Sequence, residues 1–169
     1  MLYNVVDRIY IGHIPGIGAT ALTGVGVCSP ILMLVSAFAA FAGQGGAPLA
    51  SIKLGQGDRD GAEQILGSSV TMLAALSVLL TVLFQAGKRP FLYAFGASDA
   101  SIGYALDYIG IYLWGTVFVQ FALGLNTFIS AQGQSTVAML SVLIGAVLNL
   151  VLDPILIFGL GLGVKGAAL

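Results

Sequence analysis

Charge is what this chain has least of. Its 169 residues include six Lys or Arg and seven Asp or Glu, or 8% charged, against about 25% in a soluble domain. Hydrophobic residues make up 58% and mean hydropathy is +1.02. A water-facing surface cannot be assembled from so few polar groups, so a soluble globular fold is excluded. Disorder is excluded too, because disorder requires low hydrophobicity. Six basic residues and a net charge of −1 leave no electrostatic footprint for a nucleic-acid partner. Cysteine is nearly absent. Cys28, the only one, allows no intrachain disulfide and reads as a small core residue. With one His, one Cys and no acidic pair at catalytic spacing, neither an enzyme nor a Cys/His metal site is expected. No charged leader precedes an apolar run, since Asp7 and Arg8 interrupt the N-terminal segment, so no signal peptide is read. What remains is a chain whose solvent is a lipid bilayer.

A membrane-spanning helix needs roughly 20 predominantly apolar residues. Stretches free of Asp, Glu, Lys and Arg run from Ile9 to Ile52, Gln64 to Gly87 and Tyr108 to Leu152. The first is broken by the turn-rich Gly12-His-Ile-Pro-Gly-Ile-Gly18, which places a full helix at about 21–47. The next is expected at about 62–87, opened by Asp60-Gly-Ala-Glu63 and closed by Lys88-Arg89-Pro90. A third, capped by Ser98 or Asp99, covers about 101–126, and a fourth about 136–158 after the polar turn Ser130–Ser135. Gly166-Ala-Ala-Leu169 looks like the start of another. Residues 1–12 would rise only about 18 Å as a helix, too short to cross. The expectation is an all-α polytopic membrane protein, cut inside a helix at both ends. Lys53 and Arg59 in one loop face Lys88 and Arg89 in the next, so positive charge does not orient it.

Glycine is abundant, at 24 residues. In lipid, small residues let helices approach closely, so Gly43, Gly45, Gly46, Gly110, Gly115 and Gly145 are candidates for tight contacts. Gly161-x-Gly163-x-x-Gly166 and Gly16-x-Gly18-x-x-Ala21 imitate the dinucleotide fingerprint. That fingerprint needs a preceding strand and an acidic residue about 20 positions on, and neither segment has that context.

Polar residues at depth are the informative ones. A carboxylate at the bilayer centre costs about 2.5–3.5 kcal/mol on insertion scales and marks an ion or substrate path by default. Asp153 lies about 9 Å along the axis from the midpoint of its expected helix. Asn149 is one turn earlier on the same face, and Pro154 frees the Leu150 carbonyl. Together they can offer oxygen ligands to a proton or small cation. Asp7 is the second intramembrane carboxylate. It can pair with Arg8, or Arg8 can snorkel to an interface. Tyr108, Gln120 and Asn126 are further polar groups on the helix at 101–126, with Asn126 also readable as a cap. Asp107 is expected to face headgroups, His13 to sit in a loop, and Trp114 to face lipid or pack.

The order of several motifs resembles the multidrug and toxic-compound extrusion family. Tyr3-Asn-Val-Val-Asp-Arg-Ile-Tyr-Ile-Gly12 is similar to the family's first-helix motif. Gly45-Gly-Ala-Pro-Leu-Ala-Ser51 and Leu54-Gly-Gln-Gly57 resemble its second helix and following loop. Ala131-Gln-Gly133, Ala138-Met-Leu140, Asn149-Leu-Val-Leu-Asp-Pro-Ile155 and Gly163-Val-Lys-Gly-Ala-Ala168 follow its fourth-to-sixth-helix pattern. The resemblance implies an incomplete six-helix lobe of a twelve-helix transporter with two pseudo-symmetric lobes, the C-terminal lobe being the missing partner. It implies export of drugs or other cationic or amphiphilic small molecules by antiport with Na⁺ or H⁺, across a bacterial plasma membrane, without a cofactor. The family's polar cluster maps onto Asp7, Tyr108, Asn126, Asn149 and Asp153. It also puts 53–63 and 130–135 in the cytoplasm. Ser130 departs from the Arg found there in many members. Two rivals are a lipid or oligosaccharide-lipid flippase of the same superfamily and a small oligomeric membrane protein without transport activity. The flippase reading is disfavoured because no Lys or Arg lies well within a complete helix.

Overall fold

The computed structural model describes the backbone of residues 2–168 and the side chains of 7–168. Six α-helices follow one another: α1 (Leu2–Gly12), α2 (Gly18–Gly55), α3 (Arg59–Ala94), α4 (Ile102–Trp114), α5 (Thr116–Ala131) and α6 (Ser135–Pro154). A π-helical turn (Ile155–Gly159) and a 3₁₀ helix (Gly163–Ala168) complete the order. No strand occurs among the described residues. By length and composition α2, α3 and α6 with its π turn can each cross a bilayer, and α4 with α5 passes the same test only as a broken pair, either one broken span or a re-entrant loop.

Several boundaries differ from the sequence expectation, each for a local reason. The cap of α3 is Asp58, whose Oδ1 accepts the Gly61 N–H at 2.9 Å, so the helix starts at Arg59 and not within Asp60–Glu63. At its other end α3 continues through Pro90 to Ala94. Proline costs one backbone bond there, but Leu92 is fully buried and Phe91 packs edge-on against Phe84 at 5.4 Å. The span expected at 101–126 is two helices with a break at Gly115, whose N–H turns back to the Leu113 carbonyl. The second of them runs on to Ala131. The helix expected at about 136–158 is α6 as far as Pro154 and then the π turn Ile155–Gly159, a change of register that follows the proline. The segment from Gly166 belongs to the 3₁₀ helix.

The chain divides into two compact units. The first comprises residues 1–32, 83–115 and 143–169; the second comprises 33–82 and 116–142. In the first unit Cys28 is fully buried and its thiol donates to the Gly24 carbonyl. Gly24 itself is required by packing, since a Cβ there would lie 2.9 Å from the Ser101 carbonyl oxygen. In the second unit Gly43 and Gly46 are equally constrained, by the Gly124 carbonyl at 2.7 Å and the Phe128 ring at 2.7 Å. Gly45 and Gly145 face open space, and Gly110 and Gly115 meet looser surroundings. Tight packing therefore falls on two of the six glycines the sequence nominated, Gly43 and Gly46, and on Gly24, which it did not.

The two dinucleotide look-alikes have structural explanations. Gly161 and Gly163 adopt φ of +65° and +56° in the turn after the π helix, and a Cβ on Gly166 would sit 2.8 Å from the Leu156 backbone. Gly16 has a φ of +80°, and a Cβ on Gly18 would strike the Gly12 carbonyl. Both patterns build turns.

Candidate functional site

The first unit brings three of the nominated groups together. Asp7 on α1 and Asp153 near the end of α6 are both buried, at 6% and 3% exposure. The Asp7 carboxyl lies close enough to Asp153 and Asn149 to interact electrostatically with both. Asn149 donates its amide Nδ2 to Asp153 Oδ1 at 3.1 Å, the one-turn pairing that the spacing anticipates. Three oxygens are left over: Asp7 Oδ1, Asn149 Oδ1 and Asp153 Oδ2 are buried without a hydrogen-bond partner among the described residues. Two ionised carboxylates and an amide oxygen are all acceptors. Buried next to one another they call for a proton or a cation, since an unmatched buried charge is strongly unfavourable. Tyr108 on α4 is buried, within electrostatic reach of Asp7 and Arg8, and its ring stacks on Tyr112 at 6.2 Å.

Arg8 does not pair with Asp7. The two point apart, Asp7 inward and Arg8 exposed, and the Arg8 guanidinium donates from Nη2 to Ser29 Oγ on α2 at 2.6 Å. Nor does Asp107 simply face headgroups, because its carboxylate pairs with Lys165 of the 3₁₀ helix at 3.5 Å.

Asn126 lies in the second unit. Its amide donates to the Ala138 carbonyl at 3.0 Å and the Ser141 hydroxyl at 3.1 Å, tying α5 to α6, and it is not a helix cap. The same unit holds Thr116 and Gln120, both fully buried. Gln120 Nε2 donates to the Val35 carbonyl at 3.0 Å, while Gln120 Oε1 and Thr116 Oγ1 have no partner among the described residues. Sequence reasoning passed over Thr116, although its one-turn spacing from Gln120 is a signal. A groove of about 1140 Å³ runs between α2 and α3 in this unit, with Lys53, Asp58, Gln64, Ser69 and Phe41 on its walls. Two of its charged groups, Lys53 and Asp58, are engaged with each other. Lys53 Nζ holds Asp58 Oδ2 at 2.8 Å, and that hydrogen bond, with the Gly61 N–H, keeps the Asp58 carboxyl below the usual carboxylate range.

The MatE family model matches residues 1–155 of this chain. The chain belongs to the MatE family. Multidrug export protein MepA of Staphylococcus haemolyticus is 28% identical over 169 residues, which is all of this chain and 37% of that protein. A FAD transporter of Shewanella oneidensis is 24% identical over 99% of this chain and 37% of its own length. Among solved structures, an inward-facing multidrug resistance MATE family transporter superposes with a TM-score of 0.92 at 32% identity. That match covers 99% of this chain and 37% of the other. The chain therefore spans little more than a third of the length of these relatives.

Proposed function

We propose that the transporter to which this lobe contributes exports cationic or amphiphilic small molecules by antiport, with Na⁺ or H⁺ bound at Asp7, Asn149 and Asp153. The observation that carries this reading is the set of three buried, partnerless oxygens on α1 and α6. A proton shared between the carboxyls satisfies the two carboxyl oxygens, and a small cation among them satisfies all three. Tyr108 borders the cluster and helps to order it. Asn126 contributes as a tie between α5 and α6.

Binding there replaces carboxylate repulsion with attraction and draws α1 towards α6. Release restores the repulsion, and the altered packing biases the lobe between two arrangements. Rocking of one lobe against the other around a fixed site is how such two-lobe transporters alternate access. The family likeness to multidrug exporters supports the cargo class, and the buried carboxylates suit a cation more than an anion.

Asp153→Asn in the full-length transporter tests this reading. The variant keeps the shape of the side chain and removes the charge. It should insert normally yet abolish gradient-driven accumulation of ethidium in everted vesicles, and Asp7→Asn should do the same. Undiminished efflux by either variant would remove that carboxylate from the coupling step.

A further inference from the structure

The orphaned oxygens of Asp7, Asn149 and Asp153 are enclosed, so an ion arriving from water reaches them only when part of the surrounding wall moves. One short segment lies against every element around them. The 3₁₀ helix Gly163–Ala168 packs on α4, on the π turn and on α1. Of these, α4 carries Tyr108, the π turn follows Asp153 and Pro154, and α1 carries Asp7. Val164, Gly166 and Ala167 form the buried face of the segment. Its seat is backbone on backbone, since a Cβ on Gly166 would lie 2.8 Å from the carbonyl carbon of Leu156.

The segment is both hinged and tied. Gly161 and Gly163 join it to the π turn at positive φ, and a Cβ on either meets nothing within 4 Å. Such residues absorb large backbone rotations at little steric cost. The tie is Lys165, whose Nζ lies 3.5 Å from Asp107 Oδ1 with both side chains about half exposed. Asp107 immediately precedes Tyr108 on α4. A half-exposed ion pair is weak and is screened by salt. That strength suits a contact that opens and closes in every cycle.

We infer that the 3₁₀ helix is a gate on the ion cluster, latched by Lys165 on Asp107, and that release of this pair opens a water path to Asp7 and Asp153. The inference rests on the antiport reading above and adds the regulation of that same site. Lys165 and Asp107 are positioning residues, and neither touches the ion. With the pair made, the segment shields the carboxyls. With it broken, the glycine turn lets the segment lift from Leu156. The buried Val164 and Ala167 draw it back to its seat, so each opening is transient.

The test measures water access to the carboxyls themselves. The purified full-length transporter in phosphatidylcholine nanodiscs is treated with a water-soluble carbodiimide and glycine ethyl ester. Labelling of Asp7 and Asp153 is timed by peptide mass spectrometry against the exposed Glu63. Lys165→Gln and Asp107→Asn should each speed labelling of both carboxyls about two- to five-fold, the range a half-exposed ion pair allows. Combining the two should add nothing further, and the swapped pair Asp107→Lys with Lys165→Asp should restore slow labelling. Choline chloride at about 0.5 M should speed labelling of the unsubstituted protein and not of Lys165→Gln, which supplies the test if a variant at 107 does not fold. Unchanged labelling in Lys165→Gln would show that water reaches the carboxyls by another route and would overturn the inference. So would additive effects of the two substitutions, or a swapped pair that labels as fast as the single variants. Labelling reads access and not coupling, so loss of ethidium transport in Asp153→Asn and faster labelling in Lys165→Gln succeed or fail independently.

Discussion

At the scale of single residues, adjacent glycines on α2 carry opposite consequences. A Cβ on Gly46 would press on the Phe128 ring at 2.7 Å, whereas one on Gly45 meets nothing within 4 Å. Gly46→Val should destabilise the purified full-length transporter by about 1–3 kcal/mol through overpacking. Gly45→Ala should stabilise it by up to about 1 kcal/mol through helix propensity. Thermal melting of the two variants side by side checks both signs. Asp58 gives a second prediction. Its carboxyl is held below the ordinary value of 3.8, first by Lys53 and then by the Gly61 N–H. A depressed carboxyl stabilises the folded state fully above its unfolded pKa and ceases to do so as pH falls through the folded value. The start of α3 should therefore loosen only in acid, below about pH 4. Amide exchange at Gly61 reads this directly, and Asp58→Ala should show the faster exchange already at neutral pH.

At the scale of elements, the α5–α6 pair is joined by an amide in an apolar setting. Asn126 reaches both Ala138 and Ser141, and interhelical bonds of this kind contribute about 0.6–2 kcal/mol in membranes. Asn126→Leu should lower the melting temperature. A double-mutant cycle with Ser141→Ala should return a coupling energy near the low end of that range. A cycle with no coupling would show that the contact is not energetically linked. The elements also show where sequence reasoning succeeds. Asp153 and Asn149 were legible because a carboxylate stands out in an apolar helix and four-residue spacing fixes a shared face. The α4–α5 break was not, because glycine is common in membrane helices whether or not they break, and the Gly115 N–H turning to Leu113 is a backbone event. The end of α3 was misjudged for a different reason. Pro90 is a genuine stop signal, outweighed by the packing of Phe91 and Leu92. The direction of Arg8 was also invisible, since neighbours in sequence diverge on a helix and only a partner such as Ser29 decides where a long side chain goes.

At the scale of the whole molecule, sidedness follows from one contact. Ser51 Oγ, near the end of α2, donates to the Ala131 carbonyl at the end of α5, at 2.9 Å. The loop at 56–58 and the turn at 132–134 must therefore emerge on the same side of the bilayer. Gln56→Cys and Gln134→Cys in the full-length transporter should react with a membrane-impermeant maleimide under the same condition, both in intact spheroplasts or both only after lysis. Opposite reactivity would contradict the topology described here. Charge counting had nothing to say on this point, because two basic residues stand in each of the competing loops. The resemblance supplied the orientation, and Ser51 supplies a physical reason for the pairing of the two segments.

The bond from Asn126 to Ala138 spans only twelve residues, and that to Ser141 fifteen. A ribosome has therefore made both partners of the amide almost as soon as it has made the amide itself. The α5–α6 hairpin can leave the translocon as one inserted unit with the Asn126 amide already matched. It need not wait for any later part of the chain to be synthesised.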